Sequence, residues 1–138
     1  THNEDLEMQK NMMYFTIAAA VLYGLWFFFA PGSYMAVMMF PEDQITDPLT
    51  NQLQQTGLAL LVIAYWINVS RSVITQDNIS TFMQHHAVGW GIFGVGGVYL
   101  LSTSGNLTVD NPFLYQNIVF LIIASAFYFF RGGRTDVS

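Results

Sequence analysis

His85 and His86 adjoin each other just inside the start of an apolar run from about Phe82 to Ser102, one turn before Gly89. Imidazoles at the edge of hydrocarbon are costly unless something pairs with them, so these two residues are the first to suspect of binding. Two chemistries suit them. In the first they face the headgroup region and take water or lipid phosphate; in the second, one imidazole is the axial ligand of a tetrapyrrole metal. A haem held by two histidines needs rings that face each other, whereas neighbours on one helix project about 100° apart. The third histidine, His2, lies in a polar head, so no haem is expected. Chlorophyll needs one axial ligand, which a single His, Asn or Gln can supply. By that standard His86, His85, Gln84, Asn68, Gln116 and Asn117, all near the ends of apolar runs, are candidate ligands. Amides in such places also cap helices or hydrogen-bond across a bundle.

The segment Gly89-Trp90-Gly91-Ile92-Phe93-Gly94 spells the dinucleotide fingerprint. That motif works between a strand and a helix of a soluble βαβ unit, and here it sits inside an apolar run, so it reads as packing. Gly89, Gly91, Gly94, Gly96 and Gly97 spread over about 220° of a helical wheel, too broad for one seam. They predict a helix surrounded by more than one neighbour, or by a helix and a flat ring, since small residues permit close approach.

Other chemistries find no support. No Ser-His-acid set, metal-ligand cluster or carboxylate pair can be assembled near a bilayer centre, so no catalytic or metal-binding residues are assigned and the protein is not expected to be an enzyme. Pumps and transporters place ionisable groups within the membrane, and the apolar runs contain no Asp, Glu, Lys or Arg. With no cysteine, thiol chemistry is excluded. Nine acids against four bases, a net charge of −5, offer nucleic acid no basic field.

The residues that could bind must be positioned by membrane helices. Of the 138 residues 53% are hydrophobic and 9% charged, against roughly a quarter charged in a soluble domain. A crossing helix needs about 20 apolar residues, and four segments qualify: about 12–30, 49–70, 82–102 and 113–130. The expected fold is all-α, a bundle of four transmembrane helices in a single domain. Asp47-Pro48 and Asn111-Pro112 predict helix starts, each a capping side chain before a proline. Asp77, Asn78, Ser80 and Thr81 offer several caps for the third helix. Ala30-Pro31-Gly32 stops the first helix, and Gly132-Gly133 follows the last. Tyr34 to Phe40, seven apolar residues too short to span, predict an interfacial helix or re-entrant turn, or a greasy loop over the bundle end.

Direction follows from the bases. Lys10, Arg71, Arg131 and Arg134 all fall on one side of a four-span chain, with both termini, while Glu42, Asp43, Asp47 and Asp110 fall opposite. Of three glycosylation patterns, at Asn68, Asn78 and Asn106, only the last lies in an outer loop. Trp26-Phe27-Phe28-Phe29, Tyr65-Trp66 and Phe127-Tyr128-Phe129-Phe130 suit interfacial belts or stacking on pigment, quinone or lipid. The start at Thr1 is expected to reflect removal of a targeting segment, which favours an organelle or export, with a sequence that simply starts late as the alternative.

Phe29-Ala30-Pro31-Gly32, the short greasy segment, Pro41, and the acidic turn into Gly57-Leu58-Ala59-Leu60-Leu61 resemble the first half of small DoxX-like four-helix membrane proteins. That resemblance implies the fold, and a stand-alone small transporter or lipid-handling role as one reading. Light-harvesting antenna proteins carry Glu-x-x-x-x-Asn-x-Arg, or the same with His, and no span here contains a Glu, so the chain is not one of them. The leading expectation is a non-catalytic accessory subunit of a large membrane complex, an algal photosystem in the chloroplast thylakoid, with termini on the stromal side. Its partners would be other membrane subunits and lipids, and its cofactors chlorophyll and carotenoid. An accessory subunit of a respiratory complex is the further alternative.

Overall fold

Prolines and the polar residues before them open two of the long helices. The computed structural model describes residues 2–132, with side chains from Glu4. Helix α1 runs His2–Phe29, α2 Pro31–Val37, α3 Asp47–Ser70, α4 Ile79–Thr103 and α5 Pro112–Phe129. Single turns of 3-10 helix occupy Glu42–Gln44 and Arg71–Val73, and there is no strand among the described residues. Thr1, Gly133 and Arg134, and the side chain of His2, lie outside the described part.

Among the described residues, three helices are long and apolar enough to cross a membrane, over Glu4–Phe29, Asp47–Val73 and Pro112–Phe129. The expected third span, α4, has 25 residues against 18 in α5, but Gln84, His85, His86 and five glycines dilute its apolar content. Helix α1 starts ten residues before the span expected from Met12. Glu4 and Asp5 occupy its first turn, where carboxylates complement the helix dipole. Its 28 residues amount to about 42 Å, longer than a hydrocarbon core of about 30 Å. Of an 18-residue apolar window in α1, α3 and α5, only 22%, 11% and 17% is buried by protein. The remainder, including Leu22, Tyr65, Trp66 and Ile122, therefore needs lipid or other chains to cover it.

The caps are close to expectation with one correction. Asn111 caps α5, its Oδ1 accepting from the Phe113 amide at 3.0 Å with Pro112 next. In α3 the cap is Thr46, extended at φ −113° and ψ 161°, whose Oγ1 accepts from the Leu49 amide at 3.4 Å. Asp47, the expected cap, is already in the first turn, where its charge favours the dipole instead. At α4 the cap position falls to Asn78, whose Oδ1 takes the Thr75 amide at 2.7 Å and thereby shapes the preceding turn.

Contacts divide the chain into Asn11–Val73 and a second unit of Thr1–Lys10 with Ile74–Ser138. Within Asn11–Val73, α1 and α3 meet backbone to backbone. A Cβ on Gly24 would lie 2.9 Å from the Gly57 carbonyl oxygen, and one on Gly57 2.7 Å from that of Gly24. Pro31 begins α2 directly after the break at Ala30; of the greasy segment, Tyr34 to Val37 fall in this short helix and Met38 to Phe40 turn away after it. Tyr34 packs on Phe27 at 4.4 Å and Trp26 at 5.1 Å, while Tyr34, Met35 and Met38 are buried and Val37 and Met39 exposed. Gln54 Nε2 donates to the Phe28 carbonyl at 3.2 Å, pairing one of the acceptors that a helix end leaves open. Arg71 lies over the Tyr14 ring at 3.8 Å and donates to its hydroxyl.

The other unit is built on an antiparallel pair, α4 and α5. Trp90 meets Phe120 at 5.4 Å, Gly94 faces Leu121, and Gly97 faces Asn117. Gln9, 3% exposed, donates from Nε2 to the Phe130 carbonyl at 2.9 Å, repeating the device that Gln54 uses at α1.

Candidate functional site

Adjacent residues on a helix point about 100° apart, and the Gln84-His85-His86 triplet is split accordingly. His86 turns toward α5. Its ring stacks on Phe127 at 5.2 Å with an interplanar angle of 23°, and Nδ1 lies 2.8 Å from the Phe82 carbonyl four residues back. A carbonyl only accepts, so the proton resides on Nδ1 and Nε2 keeps a lone pair. That Nε2 is buried and has no hydrogen-bond partner. An acceptor so placed costs about 1–3 kcal/mol. A macrocycle reaching this nitrogen requires the ring to leave Phe127.

His85 is exposed. Gly89 and Gly96 follow within about 40° of it on the wheel, and a Cβ on either would have no neighbour within 4 Å. The outcome is an exposed imidazole on the outward side of the helix, with the exposed Ile92 standing between the two glycines, about 20° from His85 on the wheel. Of the five glycines expected to be surrounded, Gly94 and Gly97 meet α5, whereas Gly89, Gly91 and Gly96 face open space. Gln84 lies on the flank about 160° from His86, lining a groove of about 530 Å³.

The remaining candidates are dispersed. Asn117 is buried, 6% exposed, its amide filling the space that Gly97 leaves. It stands about three turns from His86 along the pair, so the two do not share a ligand. Gln116 is half-buried and engaged by another group. Asn68 is exposed near the end of α3 and belongs to the Asn11–Val73 unit. No group of three or more metal-ligating side chains occurs among the described residues.

Sequence reasoning missed Gln9, whose amide joins α1 to the end of α5 and whose Oε1 is buried without a partner. Its only signal was a glutamine next to an apolar run. It also missed the stacking of Arg131 on Tyr128, 3.7 Å from the ring centroid, for which the i, i+3 spacing of an aromatic and a base at a helix end was the available sign. Searches against protein-family models, curated proteins and solved structures found no match to the chain.

Proposed function

We propose that the protein is a non-catalytic integral-membrane subunit of a larger complex, an algal photosystem of the chloroplast thylakoid, and that α4 presents a chlorophyll ligand on His85. The observation that carries this reading is the exposed imidazole set beside Gly89 and Gly96, with open space over both glycines. A magnesium macrocycle needs one axial nitrogen and an apolar surface for its ring; His85 offers the first, and Gly89, Ile92 and Gly96 on the same strip suit the second. Between the two histidines the geometry favours His85, because the lone pair of His86 is turned inward. The exposed aromatic and aliphatic faces of α3, α4 and α5, with Tyr65, Trp66, Phe93 and Tyr128 outward, suit carotenoid, lipid or neighbouring subunits. In this reading α4 is a fourth span, and the termini with Arg71 lie on the stromal side.

The test is absorption spectroscopy on gently purified protein, with native gels for the partners. Wild-type protein and His86→Leu should retain chlorophyll, and His85→Leu should lose most of it. A colourless protein that migrates as a free monomer or homodimer overturns the proposal and favours the stand-alone transporter or lipid-handling reading.

A further inference from the structure

On the flank of the α4–α5 pair away from His86, Gln84, Ala87 and Val88 of α4 face Ala124, Ser125, Tyr128 and Phe129 of α5 across the groove of about 530 Å³. The walls are mostly apolar, and the Ser125 hydroxyl is used within its own helix, donating to the Leu121 carbonyl at 2.8 Å. Arg131 stands where α5 ends. Its guanidinium covers the Tyr128 ring at 3.7 Å, and Nη1 donates to the Tyr128 carbonyl at 2.6 Å. One lining residue of the groove thus carries a fixed cation at the polar end of an apolar channel.

We infer that this groove holds a lipid with an anionic phosphate headgroup, its acyl chain along Ala87, Val88 and Ala124 and its anion on Arg131. Charge and position select the occupant. A basic residue between helices at the membrane edge attracts anionic headgroups, and a guanidinium pairs with phosphate oxygens through several parallel donors, of which the Tyr128 carbonyl uses one. Gln84, which also lines the groove, offers an amide to the glycerol or headgroup oxygens. The inference rests on α4 and α5 lying in the bilayer, and is independent of pigment.

Full-length protein in vesicles of phosphatidylcholine with a minor fraction of phosphatidylglycerol tests it, read by native mass spectrometry of the lipids retained on release. Flotation of the protein with pure phosphatidylcholine vesicles first establishes the membrane setting separately. Wild-type protein should retain phosphatidylglycerol about fivefold over its share, the size of one cation–headgroup contact at a membrane surface. Arg131→Gln should bring that ratio near one while still retaining lipid. Val88→Trp, at an exposed position, should lower retention of both lipids by filling the channel. Wild-type protein without preference, or an Arg131→Gln protein that keeps it, overturns the proposal.

Discussion

At the scale of single residues, the decisive variable is where on the helical circle a side chain falls, and the glycines of α4 separate this from composition. Gly97→Val drives a methyl group into the Asn117 amide, and overpacking of this kind costs about 1–3 kcal/mol. Gly89→Ala meets nothing and gains helix propensity of up to about 1 kcal/mol. Thermal unfolding in detergent, followed by circular dichroism, should therefore show the first variant melting lower and the second unchanged or higher. The sequence showed that α4 is glycine-rich beside two histidines. Which glycines touch α5 was not legible, because five positions over about 220° select a face only once the register of the partner helix is known. The same reasoning applies to His85 and His86, whose types are identical and whose surroundings differ through one step of rotation.

At the scale of elements, the local grammar of helix ends was readable, and the choice between neighbouring caps was not. Asn111-Pro112 opens α5 as its residues imply. Asn111→Ala should destabilise by about 1 kcal/mol, measured as a lowered midpoint of denaturation, and somewhat more because Asn111 Nδ2 also donates to the Asn106 carbonyl at 3.0 Å. The shift from Asp47 to Thr46 shows how two eligible caps in succession leave the choice to backbone conformation. The helical head of α1 escaped a reading built on hydropathy, although Glu4, Leu6, Glu7, Met8, Gln9 and Lys10 are all good helix formers. Gln54→Leu is expected to leave the Phe28 carbonyl without its partner and lower stability by about 1 kcal/mol, checked in the same denaturation series.

At the scale of the whole molecule, the number of crossings depends on α4. The chain has no cysteine, so single cysteines can be introduced without background. Thr75→Cys and Asn106→Cys, on either side of α4, should react with an impermeant maleimide from opposite faces of sealed, oriented vesicles. Labelling from the same face means that α4 does not cross. All-helical architecture and membrane-compatible lengths were legible because hydrocarbon thickness fixes a residue count. The division of contacts into two units was not, because nothing in a hydropathy pattern says which helices choose each other.

The reciprocal approach of Gly24 and Gly57 bears on the history of the chain. When a bulky side chain crowds another side chain, a second mutation can shrink the neighbour and restore the fit. Here each added methyl group meets a main-chain oxygen, which no substitution on the opposite helix removes. Neither position can drift while its partner compensates, so descent should have held both glycines fixed as the lipid-facing residues around them diverged. Glycine at both positions, at a spacing of 33 residues, is therefore the feature that an alignment of distant relatives of this chain should show.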